Sequence, residues 1–148
     1  MKLDQKDLKI LEILKQNSKL TTHQISKKIN IPITTIHNRI KKLEKEGIIE
    51  NYTLKLNYKK LDLAVLSYVL VTVTYTLPDG TKIKQETVAK KIKGLPEVEE
   101  VHIVTGDTDI LVRVRVKDID ELNKFVIDKL RSIDGVDKTQ TMVVLLSF

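Results

Sequence analysis

The sequence predicts an α+β fold in two parts, three helices followed by a larger domain in which strands and helices alternate. Three observations carry that expectation. Apolar residues recur at helical spacing from Leu3 to Leu43, and from Ala64 the pattern changes to the two-residue alternation of strands. The charge divides at nearly the same place: residues 1–60 hold 14 Lys/Arg against 6 Asp/Glu, a net +8, whereas residues 61–148 hold 12 against 14, a net −2. A basic first part joined to a near-neutral second part suggests that only the first faces a polyanion. The expected domains are therefore 1–60 and 61–148.

Residues 3–15 carry Leu8, Leu11 and Leu14 at three-residue spacing, widened by Ile10, with Asp4 as N-cap and Asp7 favourable in the first turn. A polar break at 17–19 precedes Thr21-Thr22-His23-Gln24, a capping box in which the threonine accepts from the N3 amide and the glutamine reaches back. A short second helix follows, with Ile25 and Ile29 on one face, and ends at Asn30. Ile31-Pro32 then forces an extended residue before the next helix, because the residue before proline avoids the α region. Helix, short helix, tight turn, helix is a helix-turn-helix order, whose last member lies in the DNA major groove. Gly47 closes that helix. The β-prone stretch 48–57 has the composition of a two-stranded wing but no strong turn dipeptide inside it.

In the second part, residues 65–75 form a long strand stopped by Pro78-Asp79-Gly80. Residues 84–93 form a helix with Val88 and Ile92 at i,i+4, closed by Gly94 and Pro96. Residues 98–104 and 110–116 are the next two strands, joined through Gly106-Asp107. Asp118 caps a helix whose apolar face is Leu122, Phe125, Val126, Leu130 and Ile133, and residues 139–146 form the last strand. The order βαββαβ is two βαβ units, the ferredoxin-like split fold. Its sheet carries helices on one face only, so the other face, rich in apolar side chains, calls for a second copy of the chain.

The third helix has two chemically different sides. At roughly 100° per residue, Ile36, Ile40 and Leu43 form a core stripe, and Thr34, Asn38, Lys41, Lys42 and Lys45 lie opposite, with Thr35 and Arg39 at the flank. Lys41, Lys42, Lys45 and Arg39 are candidates for phosphate contacts, and Thr34, Thr35, His37 and Asn38 for base edges. Asn38 suits adenine, to which asparagine bonds bidentately. Each has a plainer reading beside it: a solvated helix face, a bystander histidine at 37, and an Arg39 paired with an acid on a neighbouring helix.

These residues resemble the Lrp/AsnC, or feast/famine, transcription regulators over nearly the full chain. The match runs through Asp4-x-x-Asp7-x-x-Ile10-Leu11, Leu20-Thr21-x-x-x-Ile25, and Ile36-x-x-Arg39-Ile40-x-x-Leu43-Glu44-x-x-Gly47-Ile48-Ile49. It resumes at Val98-x-x-Val101-x-x-Val104-Thr105-Gly106-Asp107-x-Asp109. The resemblance implies a DNA-binding domain, a hinge strand, and a C-terminal domain that dimerises, often assembles into octamers, and binds an amino acid or similar small effector between dimers. Operators would be imperfect palindromes. Effector candidates are Gly106, Asp107, Thr108 and Asp109, with His102 beside them, although a tight turn with ordinary aspartates accounts for the same residues. The chain departs from the family pattern at Pro32, where a Ser or Thr cap is usual, at Thr108, where a larger side chain is common, and at Asp62, where glycine is usual.

With no cysteine and three histidines in separate segments, neither a disulfide nor a metal site is expected, and no cofactor. No apolar run is long enough to span a bilayer, so a soluble cytoplasmic protein without membrane contact is expected. An enzyme on the ferredoxin-like domain lacks a phosphate-binding glycine loop and a nucleophile-base pair. The remaining alternative is an architectural, chromatin-like protein that coats DNA with little sequence preference.

Overall fold

The structure, a computed structural model, describes residues 2–147. The chain forms two compact units, Met1–Leu56 and Asn57–Phe148, so the break falls four residues before the expected one.

In the first unit, α1 (Gln5–Gln16), α2 (Thr22–Ile29) and α3 (Ile33–Lys45) enclose a core of Ile10, Leu14, Ile25, Ile31, Ile36 and Leu43. The caps are those written in the sequence. The Asp4 side chain accepts from the Lys6 and Asp7 amides while the Asp7 carboxylate accepts from the Asp4 amide, and Thr21 and Gln24 exchange the same reciprocal pair. Asn30 adopts left-handed backbone, φ 51°, to close α2, a conformation asparagine tolerates. Pro32 starts α3 without any side-chain cap, its fixed φ of −53° already suited to helix entry. At the far end Gly47 has φ +70° and the Ile48 amide reaches back to the Leu43 carbonyl, a Schellman closure.

Among the described residues, the stretch 48–57 forms no strand pair within the chain. Residues 50–57 are neither helix nor strand, and the amides and carbonyls of 50–56 make no backbone–backbone hydrogen bond among the described residues. No turn dipeptide inside the stretch folds it back on itself.

In the second unit, a 3₁₀ turn (Tyr58–Leu61) ends at Asp62, whose φ of 54° explains why glycine suits that position. The elements β1 (Val65–Val73), α4 (Gln85–Lys93), β2 (Val98–Ile103), β3 (Ile110–Val116), α5 (Ile119–Lys124) and β4 (Val136–Val143) follow. The sheet order is β2-β3-β1-β4, with every pairing antiparallel. This is the ferredoxin-like arrangement predicted from βαββαβ. Val69, Val71, Val73, Ile110, Val112, Val114 and Val116 point to the helices and are buried with Val88, Ile92, Leu122, Phe125 and Leu130. The last strand begins three residues earlier than expected and stops at Val143, because its pairing with β1 sets its span. After Lys124 the fifth helix widens into a π-turn over Phe125–Leu130, where the Arg131 amide reaches the Val126 carbonyl. The wider turn slows the rotation of the chain and keeps Leu130 fully buried beneath it.

Candidate functional site

The exposed side of α3 is an uninterrupted row. Thr34, Asn38, Lys41 and Lys45 recur at i, i+4, i+7 and i+11, and with His37 and Lys42 all are exposed, whereas Thr35 and Arg39 are half-buried. None of the six exposed side chains makes a hydrogen bond or ion pair within the chain among the described residues. The opposite side seats Ile36 and Leu43 at full burial, so the packing of the core fixes which residues α3 presents outward.

Arg39, a candidate for phosphate contact, has the alternative arrangement, an ion pair with acids on a neighbouring helix. Its Nη1 donates to Asp4 Oδ2 and Asp7 Oδ1, each at 2.7 Å. Asp7 is buried, its side chain only 6% exposed, and a carboxylate there requires a cation nearby. The guanidinium therefore ties α3 to the capped start of α1. The acid pair responsible, Asp4 and Asp7, is the same pair that forms the capping box.

In the second unit the turn after β2 is closed by the Val104 amide donating to the Asp109 carbonyl at 2.9 Å, with Gly106 at φ +117°. Only glycine takes that conformation without strain. The Asp109 carboxylate faces inward. Oδ2 accepts from the Val73 amide at 2.7 Å, and Oδ1 accepts from Tyr75 Oη at 2.8 Å and from Gln85 Nε2 at 2.6 Å. Burial opposes its ionisation, but the hydrogen bonds from Val73, Tyr75 and Gln85 outweigh that and hold its pKa below the ordinary value. The same contacts push the Tyr75 phenol up, chiefly through the bond to Asp109. Asp109 thus joins the end of β1 to the start of α4. Asp107 is exposed and Thr108 half-buried, and the amides of Gly106, Asp107 and Thr108 make no backbone–backbone hydrogen bond among the described residues.

His102 stands apart from the turn. It pairs in register with Leu111, and its Nε2 lies 3.4 Å from Glu100, which is itself bound by Arg113 at 2.8 Å. Tyr75 and Gln85 are the residues that sequence reasoning missed. Neither carries a local signature, since one lies just past a strand and the other opens a helix 10 positions later, and only the fold brings both to Asp109. Among the described residues no group of three or more His, Cys, Asp or Glu is placed to hold a metal ion, and no helix is long and apolar enough to cross a membrane.

Comparison with known proteins gives the same division of labour. Residues 3–50 match the profile described as winged helix-turn-helix DNA-binding, and residues 68–148 match the Lrp/AsnC ligand binding domain. The chain is 48% identical over 141 residues to an uncharacterized HTH-type transcriptional regulator of Pyrococcus furiosus, covering 95% of this chain and 91% of that protein. It is 39% identical to the HTH-type transcriptional regulator FL11 of the same organism, covering 97% and 89%. Among solved structures, a transcriptional regulator of Neisseria meningitidis in complex with L-Met superposes with a TM-score of 0.89 at 29% identity, covering 98% of this chain and 91% of that one. AsnC of E. coli superposes with a TM-score of 0.85 at 27% identity, covering 99% and 95%. With a helix-turn-helix unit that presents a basic helix face and a second, four-stranded unit that matches the ligand binding domain, the chain belongs to the Lrp/AsnC family of transcriptional regulators.

Proposed function

We propose that this regulator reads palindromic operators through the exposed row of α3, as a homodimer, and that a small amino acid-like effector binds at the 106–109 turn. The observation that carries the reading is the row itself. Thr34, His37 and Asn38 lie in the first half of α3 and have free hydrogen-bonding groups for base edges, while Lys41, Lys42 and Lys45 follow as point charges for phosphates. Thr35, half-buried, keeps its hydroxyl at the margin of this face. Arg39 acts behind the face by setting the angle of α3 against α1.

Two unpartnered surfaces support the dimer. The helix-free side of the sheet carries Leu66, Tyr68, Leu70 and Leu111 with Met142, which is 43% exposed. In the first unit Tyr52, Leu54 and Leu56 are 51%, 71% and 44% exposed on a stretch that makes no backbone–backbone hydrogen bond among the described residues. A second copy covers both kinds of surface. At the turn, the free amides of residues 106–108 suit a carboxylate and Asp107 suits an ammonium group, while Asp109 holds the turn in shape. The L-Met complex of the Neisseria regulator supports an amino acid as the ligand class. The chain is a binder and not a catalyst in this reading, and it works in the cytoplasm.

Genome-wide footprinting with purified protein tests it. Scattered imperfect palindromes are expected, and their occupancy shifts when pooled amino acids are added; uniform coverage of DNA would favour the architectural alternative. Asn38→Ala is expected to relax sequence preference, costing roughly 1–3 kcal/mol on operator alone, while Lys41→Ala weakens specific and random duplexes alike. Equal losses for both variants on both duplexes would reject that division.

A further inference from the structure

The second unit is not uniformly near-neutral. Residues 82–93 contain five lysines and one acid, Glu86, a net +4, while the remainder of residues 61–148 nets −6. The lysines flank the solvent side of α4, Lys90 and Lys93 toward β2 and Lys82, Lys84 and Lys91 toward Asp134. Val88 and Ile92 are fully buried against the sheet, and Lys84, Lys90, Lys91 and Lys93 occupy the exposed side. Lys93 Nζ donates to the Glu99 carbonyl at 2.7 Å, and Lys91 lies 3.8 Å from Asp134, with both side chains half-exposed or more. Lys82, Lys84 and Lys90 meet no carboxylate at ion-pair distance among the described residues. Lys84 also sits at the N-cap of α4, where a cation opposes the helix dipole. Lys90, Lys91 and Lys93 lie in the last turn, where the dipole favours a cation, but helix stability accounts for neither Lys84 nor Lys82, which precedes the helix.

We propose that the outer side of α4 is a second DNA surface, one that binds the phosphate backbone without reading sequence. The inference rests on the reading of the chain as a DNA-binding regulator. From Lys84 to Lys93 the helix advances about 14 Å at ~1.5 Å per residue, enough to lie along roughly eight duplex charges at ~1.7 Å each. Its cations are all lysines, flexible point charges that suit phosphates at no fixed angle, and the stretch contains no arginine fork for a patterned ligand. An acidic remainder of the domain confines the contact to this side by repelling DNA elsewhere.

The test uses the full chain, a short duplex spanning one pair of half-sites, and a duplex several times longer. Lys84→Gln/Lys90→Gln is compared with Lys117→Gln/Lys124→Gln, which removes equal charge from exposed positions outside α4. On the long duplex the α4 variant is expected to show a log affinity against log salt slope shallower by about 2 for each bound protomer, at ~0.9 for each phosphate no longer neutralised. On the short duplex it binds as wild type, and the control pair matches wild type on both. Equal slopes for wild type and the α4 variant on long DNA, or an equal change in the control pair, overturns the proposal. Wild type that binds neither duplex overturns the DNA reading itself and this surface with it.

Discussion

Arg39 shows how one residue changes role once its neighbours are fixed. A basic residue on the flank of a recognition helix is a natural phosphate ligand, yet its guanidinium bridges Asp4 and Asp7 on α1. Arg39→Ala strands the buried Asp7 carboxylate and is expected to cost about 2 kcal/mol of stability, measured by urea unfolding. With the guanidinium bound to Asp4 and Asp7, DNA affinity is expected to fall with stability while the salt dependence of binding keeps its slope; a slope shallower by about 1 for each protomer would restore the phosphate role. Acid sensitivity follows from the same scale. Asp4, held low first by the Asp7 amide, and Asp109, held low against its burial by three donors, both have native pKa values below the unfolded ones. Their contribution is complete above the unfolded value of ~3.9 and is lost as pH falls through the native values. The thermal midpoint is expected to be level between about pH 5 and 7 and to drop below about 4. Asp109→Asn lowers the midpoint at neutral pH and makes the acid drop shallower, as calorimetry across that range would show.

At the scale of elements, the joins are more tightly determined than the elements they connect. Gly135, between α5 and β4, has φ +97°, and a Cβ there would lie 2.8 Å from both Ile83 Cγ2 and Val88 Cγ2. Gly135→Ala is expected to cost about 2 to 4 kcal/mol through strain and overpacking, read from the shift in urea midpoint. Gly106 sits at φ +117° with open space around it, so its substitution strains only the local backbone and is expected to disturb the 106–109 turn more than the fold. The clamp at Asp109 belongs here too. It holds strand end, turn and helix start together through Val73, Tyr75 and Gln85, and an effector at the turn would act on α4 through Gln85.

At the scale of the whole molecule, the sheet offers one finished face and one open face. Four strands bury their valines under two helices, while Tyr68, Leu70 and Leu111 wait on the other side. Leu111→Arg places an unpaired charge in that surface and is expected to yield monomers by light scattering, with the helix and sheet content of circular dichroism retained. Operator affinity then falls steeply because the half-sites are no longer read together. A Leu111→Arg protein that remains dimeric would move the interface elsewhere.

The sequence by itself determined the elements and most of their ends. Asp4, Thr21, Asn30, Pro32 and Gly47 each carry a local instruction, and local hydrogen bonding or fixed φ is enough to execute it. The exposed row of α3 was legible for the same reason, since helical period alone separates Thr34, Asn38, Lys41 and Lys45 from Ile36 and Leu43. Tertiary structure decided what depends on partners distant in sequence. It gave Arg39 to Asp7 across 32 positions and Asp109 to Val73 across 36. It shifted β4 to the register β1 imposes, and it left residues 50–57 without a strand partner among the described residues of the chain. Propensity acts over a few residues, whereas ion pairing, strand register and burial are settled only when separate segments meet.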